Sequence, residues 1–390
     1  MKIHTINELG DIRGKYVLLR DDFNVQITDG KIIDAFRIEQ SMPTIKFLQQ
    51  GGARVAICAH LGRPNGVRDE KYTLRPVADY LKIPLIDDCL DKDFLPKMKD
   101  GDVVLLENLR FYEGEEENDE KFAKKLAAGF DIFVNDAFAV SHRAHASTTG
   151  VAKILPSYAG NLLTDEIRSL TQVMQNPPRP LMAIVGGGKV GTKLDLLRSL
   201  VSRCDVVCMG GGIGTSFVLA TGKYDWTDEL YKDEYKNSVN EIIKIANENN
   251  CKIVVPVDKG VGPEFSPKST RTNKKLNDIL PNDVIMDDGP ESVENYKLAM
   301  RDAKCVIWNG TMGMAEWGDV WGASTFSLAR YLGQRTRAGD LMSVVGGGDA
   351  VAATEYTNTK NDMTYVSTGG GAFLEFIEGR TLPGIAVLEK

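Results

Sequence analysis

Residues 181–193 read LMAIVGGGKVGTK and combine an apolar run, a triple glycine and two lysines four residues apart. An uncharged apolar run that ends in glycine is typical of a buried parallel strand entering a tight turn before a helix. The stretch therefore predicts the strand, turn and helix that repeat in an α/β sheet. Lys189 and Lys193 are expected to share one face of the first turns of that helix.

Two cations at a helix start are unusual, because free backbone N–H groups already make that end partly positive. A bound polyanion, most commonly phosphate, would compensate the charge. The alternative is that both lysines only solvate an exposed turn. Triple glycines also follow apolar runs at 210–212, 346–348 and 369–371, which favours the ligand. Such loops can offer N–H groups to phosphates or form walls for a flat base.

The bulk composition limits the class of protein. A chain of 390 residues predicts two domains. The net charge of -7 and the pI near 5.4 argue against a nucleic-acid binder. The longest uncharged run, residues 206–222, holds five glycines and predicts strand, loop and helix rather than a membrane span. Charges near the start interrupt any secretory signal, so we expect a cytoplasmic protein, and the six scattered cysteines are expected to be buried free thiols.

The first half of the chain alternates apolar runs with helical patterns. The runs cover residues 17–20, 54–60, 102–109 and 131–138, and the helical patterns include 41–50 and 118–128. This alternation predicts a parallel, doubly wound sheet. The acidic run at 113–120 is expected to solvate a loop and a helix start.

Polar or basic side chains follow each of these four strands. They are Arg20, Asp22 and Asn24; His60 and Arg63; Glu107, Asn108 and Arg110; and Asn135, Asp136, His142 and Arg143. The ligand crevice of an open α/β sheet lies at the carboxyl ends of its strands. One arginine there would be an ordinary surface residue. Several arginines, joined by Arg37, predict a pocket for a small, highly charged anion, with Asp22 and Asn24 accepting from its hydroxyls.

The middle of the chain predicts a domain boundary. Thr164 can cap a helix with apolar residues at a period of 3.6, and Pro177 and Pro178 stop it.

The second half lacks the P-loop signature, the H-R-D kinase loop and a dinucleotide fingerprint, so a nicotinamide dehydrogenase is disfavoured. Asp349 either holds Mg²⁺ beside a polyphosphate or is an ordinary N-cap. Glu316 could accept from ribose hydroxyls, and Trp308, Trp317 and Trp321 are expected to pack rather than stack on a ligand.

Eight motifs in order resemble the phosphoglycerate kinase family over essentially the whole chain. They are RDDFNV (20–25), HLGRP (60–64), LLENLRF (105–111), DAF with HRAHAST (136–148), GGGKVGTK (186–193), WNGTMG (308–313), VVGGGD (344–349) and VSTGGGA (366–372). The resemblance implies two Rossmann-like, doubly wound parallel-sheet α/β domains joined by a helix and hinge. The implied limits are 1–170 for phosphoglycerate binding, 171–180 for the connector, 181–375 for nucleotide binding and 376–390 for a tail returning to the first domain.

The same resemblance implies reversible phosphoryl transfer between 1,3-bisphosphoglycerate with ADP and 3-phosphoglycerate with ATP, in line and on hinge closure, by a monomer that binds neither nucleic acid nor membrane. The implied phosphoglycerate ligands are Asp22, Asn24, Arg37, His60, Arg63, Arg110 and Arg143. Arg37 and Lys189 would meet the transferring phosphoryl group. The implied nucleotide ligands are Gly187, Lys193, Gly211, Asn309, Glu316, Gly346, Gly347, Gly348, Asp349 and Ala350, with Asp349 on Mg²⁺.

The chain departs from the usual family pattern at Asp21, Gln26, Thr311, Ala350 and Phe373. Ala350 stands where a hydroxyl residue usually follows the Asp, so one hydrogen bond to a phosphate is expected to be missing, at a cost of about 1.5–3 kcal/mol at most. A non-catalytic scaffold that retains the fold is the alternative function.

Overall fold

The structure, a computed structural model, describes residues 2–224, 226 and 233–390. The described residues fall into two compact units. Unit 1 comprises Met1–Ser169 and Arg380–Lys390, and unit 2 comprises Leu170–Gly379. The functional domain limits implied by the resemblance remain a prediction.

Unit 1 is built on a six-stranded parallel sheet in the order β5-β6-β4-β1-β7-β8, with a two-stranded hairpin, β2-β3. Its strands are β1 (Tyr16–Arg20), β2 (Ile27–Thr28), β3 (Lys31–Ile32), β4 (Arg54–Cys58), β5 (Leu85–Ile86), β6 (Val103–Leu106), β7 (Ile132–Asn135) and β8 (Ser157–Ala159). Its helices before the second unit are α1 (Phe36–Gln50), α2 (Arg75–Leu81), α3 (Glu113–Glu116), α4 (Glu120–Ala127) and the first part of α5 (Asn161–Gln175).

Both faces of this sheet are buried, which is why its strands are continuously apolar. Val17 and Leu19 belong to one apolar cluster with residues of α1 and α2, whereas Leu18 belongs to another with residues of α4. Successive strand residues point to opposite faces, so the two clusters lie on the two sides of the sheet. The predicted doubly wound fold is confirmed.

Unit 2 contains a second six-stranded parallel sheet, in the order β11-β10-β9-β15-β16-β17. Its strands are β9 (Leu181–Val185), β10 (Val206–Met209), β11 (Lys252–Val254), β15 (Cys305–Asn309), β16 (Met342–Gly346) and β17 (Tyr365–Val366), and an antiparallel sheet holds β12 (Asp258–Gly262), β13 (Thr272–Lys275) and β14 (Val284–Asp288). The helices are α6 (Leu194–Val201), α7 (Gly211–Ala220), α8 (Lys236–Glu248), α9 (Pro290–Met300), α10 (Ala323–Arg337), α11 (Gly348–Tyr356) and α12 (Gly371–Ile377), and α13 (Pro383–Ala386) belongs to unit 1. The strand order reverses between β9 and β15, which makes that position the topological switch point.

Helix α5 begins earlier than its sequence signals predict. Thr164 is not its cap, because the helix begins at Asn161 and the Thr164 hydroxyl donates to the carbonyl of Gly160 at 2.7 Å. The hydroxyl of Thr44 accepts from the Asn161 N–H at 2.8 Å and takes over the capping role. The predicted end before the two prolines is confirmed, since α5 ends at Gln175. Among the described residues, no helix is long and apolar enough to cross a membrane.

Candidate functional site

The carboxyl ends of the central strands of unit 1 lie level with one another. Arg20, the last residue of β1, pairs in register with Cys58 at the end of β4 and with Asn135 at the end of β7. The polar residues that follow these strands therefore emerge at one edge of the sheet. We call the group Asp22, Asn24, Arg37, His60 and Arg110 at this edge the unit 1 site.

Asp22 is the centre of the unit 1 site. One carboxylate oxygen lies 2.5 Å from a guanidinium nitrogen of Arg37, and the other accepts from the N–H of Asn24 at 3.1 Å. His60 Nδ1 lies 3.7 Å from the same carboxylate. The side chain of Arg37 is 31% exposed whereas that of Asp22 is only 6% exposed, so the arginine is the member that an incoming anion can reach.

Charge and burial set the protonation states here. Burial alone would raise the pKa of Asp22, but the opposing influences, of which the charge of Arg37 is the largest, outweigh it and the pKa is lowered, so the carboxylate is ionised. Burial lowers the pKa of His60 well below its usual value, and the cations Arg20 and Arg110 lower it further. His60 is therefore neutral near pH 7 and contributes hydrogen bonds rather than charge.

Gly62 links two further members of the site. Its N–H donates to Asn24 Oδ1 at 2.9 Å, and its carbonyl accepts from Arg110 at 2.7 Å. The Arg110 guanidinium also lies 3.1 Å from a carboxylate oxygen of Glu116. Burial lowers the pKa of Arg110, and the charge of Arg143 lowers it further. The side-chain oxygen of Asn24 has a second lone pair and the residue is exposed, so Asn24 can still accept a hydrogen bond from a ligand.

Arg63 and Arg143 join the site less directly. Arg63 is exposed and, within the described residues, its side chain makes no hydrogen bond or ion pair. Arg143 is half-buried and donates through Nε to His142 at 3.3 Å. The structure thus places five of the seven expected phosphoglycerate residues in one group of neighbouring side chains and leaves these two arginines at its margin.

A buried polar network beneath the site was missed by sequence reasoning. The Nε of Arg20 donates to the hydroxyl of Ser147 at 2.7 Å, and a second guanidinium nitrogen lies 3.4 Å from His60 Nδ1. Glu115 accepts from both the hydroxyl and the N–H of Ser147. The expectation that the whole acidic run solvates a loop is wrong at Glu115, which is fully buried. Its place in a run of exposed acids gave no signal of this.

In unit 2, Lys193 ties together the two strands at the topological switch point. Its ammonium donates to the carbonyl of Gly186, just after β9, at 2.7 Å, and to the side-chain oxygen of Asn309, at the end of β15, at 2.6 Å. The amide nitrogen of Asn309 donates to the carbonyl of Gly346, at the end of β16, at 2.7 Å. We call Lys193, Asn309 and the three glycine loops at 186–188, 210–212 and 346–348 the unit 2 site.

The prediction that Lys189 and Lys193 share a helical face is wrong. A short 3₁₀ turn, Val190–Thr192, separates them, and Lys193 has φ -129° and ψ 14° at the residue before α6. That backbone turns its side chain back toward Gly186 instead of along the helix. Lys189 is exposed, and its ammonium makes no hydrogen bond or ion pair within the described part of the chain. One lysine thus shapes the site while the other is available to a ligand.

Each triple glycine lies at a junction between a strand and a helix. Helices α7, α11 and α12 begin within their glycine triplets, and the triplet at 186–188 precedes the turn into α6. Gly347 has φ 94°, a conformation that side chains disfavour. The first bond of α11 runs from Val351 N–H to the Gly347 carbonyl, so the N–H groups of Gly348, Asp349 and Ala350 precede it and suit an anion.

The side chains around α11 divide between ligand and core. Asp349 is exposed in the first turn, with Gly347 as the N-cap, so the N-cap alternative for Asp349 is wrong. Ala350 is fully buried in the apolar cluster of unit 2, so its backbone N–H is the group that could meet a phosphate. No set of three or more His, Cys, Asp or Glu side chains that could hold a metal occurs in the described residues. One carboxylate suits a Mg²⁺ ion held mainly by phosphates and water.

Gly211 is bonded at both of its backbone polar groups by charged side chains. With φ 60°, its N–H donates to Asp288 at 3.2 Å and its carbonyl accepts from Lys259 at 3.2 Å. Its N–H is therefore taken by Asp288 and is not available as a donor to a ligand. Lys259 and Asp288 were not anticipated from sequence.

The other residues singled out from the sequence are a glycine, an exposed acid, three tryptophans and the cysteines. Gly187 has φ 125°, and Glu316 is exposed in the 3₁₀ turn Ala315–Trp317. Trp308 and Trp321 are fully buried, and Trp317 packs on Phe265 with ring centroids 4.7 Å apart, so the expected packing role is confirmed. All six cysteines are free and buried, as predicted.

Comparisons with known proteins agree with this geometry. A family model described as "Phosphoglycerate kinase" matches residues 6–380. The phosphoglycerate kinase of Methylorubrum extorquens (strain PA1) is 42% identical over 394 residues, which cover 98% of each chain. That of Borrelia garinii subsp. bavariensis is 42% identical over 399 residues, which cover 100% of each chain.

Solved structures give the same result. The phosphoglycerate kinase of Coxiella burnetii is similar with a TM-score of 0.88 and 39% identity, over 99% of each chain. That of Pyrococcus horikoshii OT3 is similar with a TM-score of 0.84 and 30% identity, over 99% of this chain and 98% of the other.

Proposed function

Because this chain belongs to the phosphoglycerate kinase family, we propose that its unit 1 site holds the phosphoglycerate and its unit 2 site holds the nucleotide. The enzyme is a phosphotransferase of glycolysis with ATP and ADP as substrates. It moves a phosphoryl group reversibly between 1,3-bisphosphoglycerate with ADP and 3-phosphoglycerate with ATP. The alternative of a non-catalytic scaffold is not favoured.

The chemistry explains the absence of a catalytic base from the proposed machinery. In the direction of ATP formation, a β-phosphate oxygen of ADP forms a bond to the acyl phosphate phosphorus while the bond from phosphorus to the carboxyl oxygen breaks. The leaving carboxylate needs no proton, and in the reverse direction the attacking carboxylate is already ionised near pH 7. The enzyme then has to supply alignment and positive charge at the equatorial oxygens.

In unit 1 we assign the anion-binding role to the arginines. Arg37 is partly exposed and oriented by Asp22, so it is held in place to meet the transferring phosphoryl group. Arg63, Arg110 and Arg143 neutralise the remaining charge of the phosphoglycerate, and His60 adds neutral hydrogen bonds. Removing Arg37 would leave Asp22 without its principal cation, so the loss would affect both the charge and the shape of the site.

In unit 2 we assign Lys189 to the transferring phosphoryl group, because its ammonium is exposed and has no partner among the described residues. Lys193, Asn309, Gly187 and Gly211 shape the cradle. The N–H groups of Gly348, Asp349 and Ala350 receive phosphate oxygens, and the Gly346–Gly347 backbone lets the phosphates approach. Glu316 would accept from the ribose. Asp349 would hold Mg²⁺, which neutralises phosphate charge when bound.

We further propose that ligand binding closes a hinge in the connector that runs from α5 to Pro180. Closure would exclude water from an acyl phosphate that water would otherwise hydrolyse. We also propose that the enzyme acts as a cytoplasmic monomer and binds neither nucleic acid nor membrane.

The observation that carries the proposal is the bond pattern of Lys193 at the switch point of unit 2, beside the exposed Lys189. The test is a coupled assay of ATP consumption with 3-phosphoglycerate. ATP turnover that depends on 3-phosphoglycerate and on Mg²⁺ supports it. No turnover by folded protein would favour the scaffold, and measurable NAD binding by calorimetry would favour the oxidoreductase rival.

A further inference from the structure

Lys259 and Asp288 form an ion pair in unit 2 to which the mechanism above gives no task. They face each other across the antiparallel strands β12 and β14, with Nζ 2.6 Å from Oδ1. Neither side chain is exposed to solvent. Burying two charges is costly, and apolar residues of similar size are often as stabilising. Stability alone is therefore a weak explanation for this pair.

The contacts of the pair point to the second glycine loop. Asp288 Oδ2 accepts from the N–H of Gly211 at 3.2 Å, and the ammonium of Lys259 donates to the carbonyl of Gly211 at 3.2 Å. The two charges thus engage both backbone polar groups of one residue. Because Gly211 has φ 60°, its peptide orientation is set by these partners as well as by its own conformational freedom.

The residues before Gly211 are held by the same group. A Cβ built on Gly210 would lie 2.6 Å from Asp288 Oδ2, so the carboxylate packs directly against that glycine. The hydroxyl of Tyr296 lies 2.9 Å from Asp288 Oδ2, to which it donates its proton, and 3.3 Å from the carbonyl oxygen of Met209, which can share that proton. Three consecutive residues at the end of β10 are therefore fixed by side chains from β12, β14 and α9.

We propose that Lys259, Asp288 and Tyr296 are positioning residues that hold Gly210 and Gly211 in the shape the nucleotide requires. This inference rests on the proposed function of the unit 2 site. Asp288 engages the Gly211 N–H and Lys259 engages its carbonyl, so the pair fixes the orientation of the backbone at this residue. The pair touches no phosphate, so its loss should weaken nucleotide binding and leave phosphoglycerate binding unchanged.

The decisive experiment replaces the pair by apolar residues of similar size, Lys259→Met with Asp288→Leu, in the full-length chain. We expect the KM for ADP to rise roughly tenfold, as for the loss of a hydrogen bond to a charged group, while the KM for 1,3-bisphosphoglycerate stays within twofold of the wild type. The matched control is Lys274→Met with Asp283→Leu, an ion pair of the same sheet at 2.7 Å with no bond to the glycine loop. A folded double variant with an unchanged KM for ADP would overturn the proposal.

Two further measurements test the positioning role without the double variant. Tyr296→Phe removes only the hydroxyl and should raise the KM for ADP about threefold, as for a neutral hydrogen bond. In the wild type, the Gly211 amide should exchange with deuterium more slowly than that of Gly348, which precedes the first bond of α11. Equal exchange rates, or an unchanged KM in Tyr296→Phe, would contradict the positioning role. The exchange measurement needs no ligand, so its result is independent of whether the wild type binds Mg-ADP.

Discussion

The ammonium of Lys193 and the side-chain oxygen of Asn309 lie 2.6 Å apart and join the carboxyl ends of β9 and β15. The Lys193 side chain is partly buried, and burial lowers its pKa to about 8, although the charge of Asp349 opposes this shift. The cation at the centre of the unit 2 site therefore titrates within a pH range that an assay can reach.

We expect nucleotide binding to weaken between pH 7 and pH 9. Lys193 is protonated below its pKa, and the positive charge favours a bound polyphosphate, so deprotonation should raise the Kd of Mg-ADP. Isothermal titration calorimetry across this range measures the effect. Lys193→Met should bind more weakly at pH 7, by roughly tenfold or more, and should lose the pH step. A step that persists in the variant would assign it to another group.

The ring of Phe373 occupies the space beside Gly346. A Cβ at Gly346 would lie 2.5 Å from ring carbons of Phe373, which is fully buried. Gly346→Ala should therefore destabilise the protein by about 1–3 kcal/mol through overpacking, and Phe373→Ala by about 3–5 kcal/mol through a cavity. In the double variant the new methyl group enters the space the ring has left, so the two losses should not add. Urea unfolding of the four proteins measures the cycle, and strict additivity would disprove the contact.

Asp21 makes stability depend on pH in the direction opposite to that of a salt-bridged acid. Burial raises its pKa to about 7, with a further contribution from the charge of Asp22, although the hydroxyl of Ser41 donates to its carboxylate and opposes the rise. Between the unfolded value of 3.8 and about 7, the folded state binds the extra proton, so this group's contribution to stability falls as pH rises.

Asp21→Asn should therefore raise the melting temperature relative to the wild type at pH 8 and change it little at pH 4. The amide oxygen keeps an acceptor for Ser41. Differential scanning fluorimetry at both pH values compares the two proteins directly. A variant that is equally destabilised at both values would show that Asp21 is held ionised by partners instead.

The proposed hinge closure predicts compaction. Small-angle X-ray scattering with both 3-phosphoglycerate and an unreactive Mg-ATP analogue should give a smaller radius of gyration than the free protein. Either ligand alone should have less effect, since each is assigned to one unit. An unchanged radius with both ligands bound would contradict closure.

Local sequence signals predicted the features that depend on local structure. Apolar runs that end in glycine located β9, β10, β16 and β17 and their following helix starts, because a buried parallel strand must be apolar and its turn must be tight. The polar residues after β1, β4, β6 and β7 were likewise placed at one edge. Arg63 is different, since the sequence predicted the edge of the sheet at which it lies but not that its side chain has no partner among the described residues.

Tertiary contacts decided what the sequence could not predict. The start of α5 depends on the hydroxyl of Thr44, 117 residues away, which accepts a hydrogen bond from the Asn161 N–H. The side chain of Lys193 folds back to Gly186 because Asn309 and that carbonyl offer better partners than a helix surface. Lys259 and Asp288 become neighbours only through the register of two antiparallel strands. No spacing rule along the chain indicates any of these pairs.

The steady-state kinetics of Lys189→Ala test whether the unit 2 site acts on the transferring phosphoryl group. Lys189 is exposed, and its ammonium has no partner in the part of the chain that the structure describes, so its removal should leave the fold unchanged while removing charge from the transferring phosphoryl group. We expect a fall in kcat of at least about 100-fold, with the KM for 3-phosphoglycerate within twofold of the wild type. The control is Lys304→Ala, which should retain full activity. Lys304 is exposed and directly precedes β15, at the amino-terminal end of that strand and so away from the unit 2 site. A Lys189→Ala enzyme with unchanged kcat, or with equal losses in kcat and in phosphoglycerate binding, would contradict the assignment of Lys189 to the transferring phosphoryl group.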